Sequence, residues 1–254
     1  MSRHEATYWV RFDEATPGGL LRTSGLLRYA QDVAWRHSEA LGFDRPWYAE
    51  RRLAWLVRGA ELEVAGSIPM GTSLAVSTHV VGYRKVWARR RAEFRPPDGS
   101  LLAWVLTDWV LIDARGRPTR VPEAIASNFP APAPVEPLLR VDLPPAPDGA
   151  ARRAFQVRPQ ELDPMDHVNN AVYLDWLEES ILAAAGDASG GIDSVPRRYR
   201  LEYLAAAAPK ASVQALTWRD QGWAHRLTGA DGAELLRARV EDAPSLPLRP
   251  DPAR

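Results

Sequence analysis

Two copies of one α+β unit, joined by a short linker, is the fold class that this sequence predicts. Three observations predict it. Residues 130–150, PAPAPVEPLLRVDLPPAPDGA, form a proline-rich break at which neither a helix nor a central strand can continue. One strand, one long helix and then a run of strands are spelled in the same order on each side of that break. One of those strands also alternates polar and apolar residues, as a sheet with one wet and one buried face does.

In the first half, Thr7 to Asp13 reads as a strand. From Leu20 to Leu41 the apolar residues Leu20, Leu27, Ala30, Val33, Ala34, Ala40 and Leu41 recur at helical spacing, and Gly42 stops the helix. Strands follow at Ala54–Val64, Ser73–Gly82, Val86–Phe94 and Leu101–Ile112, the last two joined by a turn at Pro97-Asp98-Gly99. The second half repeats this order. A strand is expected at Ala154–Arg158 and a helix from Asn169 to Ala185, with Gly186 as its stop. Strands at Arg198–Leu204, Ser212–Arg219, Trp223–Thr228 and Glu234–Val240 complete it, with a turn at Asp231-Gly232. The expected units are residues 1–129 and 151–245, with a linker at 130–150 and a tail at 246–254.

Each unit is expected to be a sheet wrapped around its helix. Along residues 85–95, Lys85, Arg89, Arg91, Glu93 and Arg95 share one parity and Val86, Ala88, Ala92 and Phe94 the other. The first set is expected on a wet face, where it could meet an acidic partner or phosphates. Arg90 breaks the pattern.

Composition excludes several functions. Acids and bases balance at 32 each, so charge gives no support for nucleic-acid or membrane binding. Cysteine is absent, which removes disulfides, thiolate metal sites and a cysteine nucleophile together. No apolar run approaches membrane-spanning length and the N-terminus has no apolar leader, which predicts a soluble, cytoplasmic protein. The five histidines are scattered without ligand spacing, so no metal is expected. Phosphate loops, dinucleotide fingerprints and a nucleophile elbow are absent, and no cofactor is expected.

The chemistry concentrates in residues 161–179, ELDPMDHVNNAVYLDWLEE. Asp163, Asp166, His167, Asn169 and Asn170 fall within eight positions and run into an apolar helix. One Asp or Asn suffices to cap a helix, so capping leaves most of them unexplained.

The string Asp163-Pro-Met-Asp-His167-Val-Asn169-Asn170, with Tyr173 and Trp176 beyond it, resembles the signature of hotdog-fold acyl thioesterases. Residues 27–42, LRYAQDVAWRHSEALG, resemble the first central helix of the acyl-acyl-carrier-protein thioesterases. The resemblance implies a tandem hotdog, each unit an antiparallel sheet wrapped around a long central helix. It also implies hydrolysis of fatty acyl thioesters, on acyl carrier protein or coenzyme A, to free fatty acids. The family pattern assigns catalysis to Asp163, as base or nucleophile, with His167 positioning water or substrate and Asn169 holding the loop or the thioester carbonyl. Glu178, on the second helix, and its first-half counterpart Gln31 are expected along the substrate. A thiolate leaving group, with a pKa of about 8.5, needs no strong general acid; the site must supply a base and donors for the oxyanion.

Three features depart from the pattern. Met165 stands where the plant-type family has asparagine, and Asp166 where many single-unit thioesterases have glycine. After Leu201-Glu202-Tyr203 comes an alanine run rather than the plant-type Glu and Cys. Two alternatives stay open: a hotdog enoyl-thioester hydratase or dehydratase, and a non-catalytic acyl-thioester-binding module. A homodimer is also compatible with the sequence.

Overall fold

The computed structural model describes residues 3–129, 136–186 and 191–242; the expected tail at 246–254 and residues 130–135 of the linker lie outside them. Among these residues ten strands form one antiparallel sheet. They are β1 (Arg3–Trp9), β2 (Ala54–Val64), β3 (Ser73–Arg84), β4 (Trp87–Arg95), β5 (Ala103–Ile112), β6 (Ala151–Gln156), β7 (Arg197–Tyr203), β8 (Ser212–Arg219), β9 (Trp223–Gly229) and β10 (Glu234–Asp242). Their spatial order is β1-β3-β4-β5-β2-β7-β10-β9-β8-β6, so the second five repeat the first five in reverse about the β2–β7 pair. Two long helices, α1 (Thr23–Ala40) and α4 (Asn170–Ala185), lie side by side in the concave face. This is the tandem hotdog.

Burial of the helices dictates that arrangement. Leu26, Leu27, Val33, Leu174, Leu177 and Ile181 are buried against Leu62, Phe94, Tyr199 and Leu236 from the strands in one continuous core, the apolar burial that drives the fold. Two short helices, α2 (Arg45–Arg51) and α3 (Glu123–Ala126), roof the first half. Phe43, Tyr48, Val121 and Ile125 form a second core there. The sequence reading passed over both, although Asp44, which caps α2 by accepting from the Trp47 N–H at 2.9 Å, followed by Pro46 is a helix-start signal.

Strand and helix limits moved at the start of the first half. The expected strand Thr7–Asp13 is β1, Arg3–Trp9. The chain leaves it through a 3-10 turn at Phe12–Glu14, because the Glu14 carboxylate accepts from the Arg11 backbone N–H. Helix α1 starts at Thr23 rather than Leu20, since Leu20 and Leu21 are held in extended bridges to Pro69 and Ala15.

The wet face expected on β4 is dry along its middle, and only Lys85 and Arg95 at its ends reach solvent. Arg91 and Glu93 are buried, bonded to each other at 2.9 Å, with Arg91 over the Trp104 ring and Arg3 closing on Glu93. Arg89 is forked onto Asp108 at 2.6 and 2.8 Å. These charges neutralise one another and offer no docking surface.

The described end of the linker helps cover that face. The Leu139 N–H donates to Asp108 and the Val141 N–H to Glu202, at 2.8 and 2.9 Å, and Arg140 pairs with Glu202. Arg200 and Arg239 donate to the carbonyls of Arg140 and Asp142. The segment thereby straps β5, β2, β7 and β10 together. Gly59 permits its close approach: a Cβ there would meet that of Leu139 at 2.9 Å.

Urea unfolding tests the strap. Asp108→Ala strands the enclosed Arg89 guanidinium and is expected to cost about 3–5 kcal/mol. Glu202→Gln keeps an acceptor for Val141 and should cost under about 1.5 kcal/mol; the reverse ranking removes this account.

Candidate active site

The residue 161–170 loop is built by local bonds before any chemistry is considered. The Glu161 carboxylate accepts from the Arg158 N–H at 2.7 Å, and the Asn169 N–H donates back to the Glu161 carbonyl at 2.9 Å. The Asp163 N–H donates to the His167 carbonyl at 2.8 Å, closing a tight turn through Pro164, Met165 and Asp166. Asp166 sits at φ +58, a left-handed conformation that aspartate tolerates and glycine adopts freely.

Three expected residues meet here. Asp163 uses one oxygen, Oδ1, to accept from the Met165 backbone N–H at 2.8 Å. Met165 therefore contributes through its main chain, where the plant pattern has a polar side chain. Asp163 Oδ2 has no protein partner among the described residues. Asn169 caps α4: its Oδ1 accepts from the Ala171 N–H at 2.9 Å. With the oxygen so fixed, the other end of that amide is the NH₂ group, an available donor. Beside it the first peptide N–H groups of α4 supply the positive end of the helix dipole. His167 is exposed.

All three line a cavity of about 810 Å³, inside the range of ligand pockets. Its far walls come from the first half: Leu53, Trp55 and Val57 on and beside β2, Trp109 on β5, and Ile125 and Phe129 under the roof. Gln31 of α1 also lines it. Sequence reasoning missed Arg90, which lines the cavity from the inner face of β4; the break it makes in the alternation was the signal. It also missed Ser38 and Tyr48, whose hydroxyls lie 3.1 Å apart.

Glu178 is a correction. It is not among the side chains lining this cavity. Tyr199 donates to Glu178 at 2.6 Å, Arg197 donates to the Tyr199 oxygen at 2.9 Å and to Thr23 at 3.1 Å. Burial raises the Glu178 carboxyl above its ordinary pKa, against the bonds from Tyr199 and Thr23.

The internal repeat explains this. Residues of the 161–170 loop lie 147 positions after first-half counterparts that make the same bonds: Arg158 and Glu161 against Arg11 and Glu14, Asp163–His167 against Thr16–Leu20, Asn169–Glu161 against Arg22–Glu14. Asp166 matches Gly19, at φ +73. The first-half loop thus copies the backbone but carries Thr16 for Asp163 and Leu20 for His167. Glu178 faces that copy, whose pocket, lined by Leu20, Thr23 and Arg197, holds about 20 Å³. Gln31, its counterpart, faces the open one.

Among the described residues no three His, Asp or Glu side chains gather as a metal-ligand set, and no helix is long and apolar enough to cross a membrane.

The fold and this loop place the chain among double hotdog proteins. Profiles of the acyl-ACP thioesterase N-terminal and C-terminal domains match residues 2–129 and 146–239. The chain belongs to the acyl-ACP thioesterase family. It is 25% identical over 246 residues to a chloroplastic acyl-[acyl-carrier-protein] hydrolase, FATB2, of Cuphea viscosissima, covering 86% of this chain and 57% of that protein. The chain thus spans little more than half the length of that relative. The 12:0-ACP thioesterase from Umbellularia californica shares its fold with a TM-score of 0.78 at 22% identity, over 94% of this chain and 96% of that one. An acyl-ACP thioesterase from Bacteroides thetaiotaomicron does so at 0.78 and 14%, over 95% and 99%.

Two expectations follow. Asn169→Ala removes cap and donor together and should cost about 1 kcal/mol of stability, whereas Asn169→Asp keeps the cap acceptor and should melt near the parent temperature. The second concerns pH. Burial lowers His37 to about 4 and His225 to about 3, Arg90 adding to the effect on His37. Both stay neutral in the folded chain while the unfolded chain protonates them near pH 6.5. Their share of stability is full above about pH 6.5 and is lost as pH falls towards 4, with about one proton taken up per histidine on unfolding. Urea midpoints from pH 7.5 to 5 check this, and the slope should be shallower by about one proton in His225→Gln.

Proposed function

We propose that this chain hydrolyses fatty acyl thioesters to free fatty acids, with acyl carrier protein as the carrier. One observation carries the reading: Asp163 has one oxygen tied to its own loop and the other unclaimed, at an apolar cavity and beside the open end of a buried helix. Residues 1–129 and 151–245 are then the two hotdog units, and the site lies where they meet.

In this reading Asp163 takes a proton from water as the water oxygen attacks the thioester carbonyl carbon. The carbonyl oxygen gains the negative charge and is held by the Asn169 NH₂ group and the first N–H of α4. The carbon–sulfur bond then breaks, and the thiolate recovers the proton. Exposed His167 sits where the carrier arm would reach the thioester. Gln31 faces the acyl group from the opposite unit. Direct attack by the Asp163 carboxylate gives the same products. After single turnover in heavy-oxygen water, label in the Asp163 carboxyl establishes direct attack with the mixed anhydride opened at the aspartate carbon, a label that attack by water on the thioester never leaves.

Asp163→Asn is expected to lower kcat on acyl-acyl-carrier-protein by about 10²–10⁴-fold with the fold intact by circular dichroism. Turnover equal to the parent would remove the proposed site.

A further inference from the structure

Arg90 is an arginine on the inner face of a sheet, in line with Ala88, Ala92 and Phe94, the last two core residues. Its Nη1 donates to His37 Nδ1 at 2.9 Å and points at Thr78 Oγ1 at 3.5 Å. Arginine has no acceptor, so His37 must accept at Nδ1 and carry its proton on Nε2. Both partners are neutral: Arg90 has no carboxylate partner among the described residues. The outer-face arginines Arg89 and Arg91, by contrast, each have one.

The unpaired charge faces the cavity. Arg90 is half-buried and lines the cavity wall together with Val80, Ala88 and Phe129. Ser38 and Tyr48 line it too. The Ser38 hydroxyl donates to the Phe43 carbonyl and so accepts from Tyr48, while Trp55 donates to the Tyr48 oxygen at 3.0 Å. A polar cluster therefore stands inside a largely apolar chamber. It lies far from the Asp163 loop: the Asn170 carbonyl at the end of that loop accepts from Tyr203 on β7 at 3.0 Å, and β4 is three strand spacings from β7, on the order of 14 Å. Burial pushes the Arg90 guanidinium down to about 10, so it stays cationic at neutral pH.

A cation shut away from carboxylates is costly to bury, and a methyl-ended chain reaching it would displace its remaining solvation and return nothing. We propose that the cavity accepts acyl groups oxygenated at the end remote from the thioester, a terminal carboxylate above all and a hydroxyl next, with Arg90 as the partner of that oxygen. The proposal rests on the thioesterase reading for the orientation of the chain, with the carbonyl at Asp163 and the tail at β4.

The experiment compares plain, ω-hydroxy and ω-carboxy acyl thioesters of equal length, from octanoyl to tetradecanoyl, with the parent protein, Arg90→Met and Arg90→Lys. At the best length the parent should favour the ω-carboxy over the plain substrate by at least about tenfold in kcat/KM, as charge-assisted hydrogen bonds do. Arg90→Met should abolish or reverse that preference and Arg90→Lys should retain part of it. A parent that prefers plain chains at every length overturns the proposal, and this comparison needs no variant to fold. Binding of the matching free acids and diacids, followed by fluorescence of Trp35, Trp55 and Trp109 in the cavity wall, is read beside it. If no thioester of any kind is cleaved, the hydrolase reading fails, and the binding series still decides the Arg90 site by the same preference.

Discussion

The antiparallel ladder between β2 and β7 is the constraint on which the rest depends. Six residue pairs, from Gly59–Glu202 to Val64–Arg197, join the two halves into one sheet. A sheet closed in this way has no free edge at its centre, and it lays α1 and α4 against each other in one concavity. The Asp163–Asn170 loop of the second half is thereby brought over walls that the first half supplies. Neither half contains the cavity alone: Asp163 and Tyr203 come from one, Trp55 and Arg90 from the other.

The duplication that makes this sheet also makes two loops of one backbone, and the sequence has let them diverge. Where Asp163, His167 and Asn169 stand, the space is about 810 Å³; at Leu20 and Thr23 of the first-half copy it is about 20 Å³. The closed side is held by Glu178, Tyr199, Arg197 and Thr23. That side carries no Asp-His-Asn string, and a buried hydrogen-bonded network locks the helices together there.

The same logic governs the outer face. A sheet this broad turns much of its surface away from the helices, and β4 places Arg89, Arg91 and Glu93 there. Pairing of those charges across and along the strands, and the strap fastened to Asp108 and Glu202, remove them from water without leaving them unmatched. Arg90 alone of that run turns inward. Its neutral backing by His37 and Thr78 leaves its charge to the cavity, which is why it is legible as a site rather than a strut.

Much of this was written in local sequence. The order of the strands and long helices, the limits of β2 and β8, the start of α4 near Asn169 and the concentration of polar chemistry at 163–170 follow from periodicity, proline and glycine placement, and a motif only a few residues long. Those signals act over one turn or one strand, and the sequence carries them without help. What it could not decide is which faces meet. Parity assigned Arg91 and Glu93 to water, but the covering ion pairs come from residues far along the chain. Gln31 and Glu178 occupy matching positions on matching helices, yet only the fold sends one to the open cavity and the other to the closed one. Burial depends on neighbours remote in sequence, and no local pattern records them; the tertiary structure alone determined where the cavity runs and what stands at its far end.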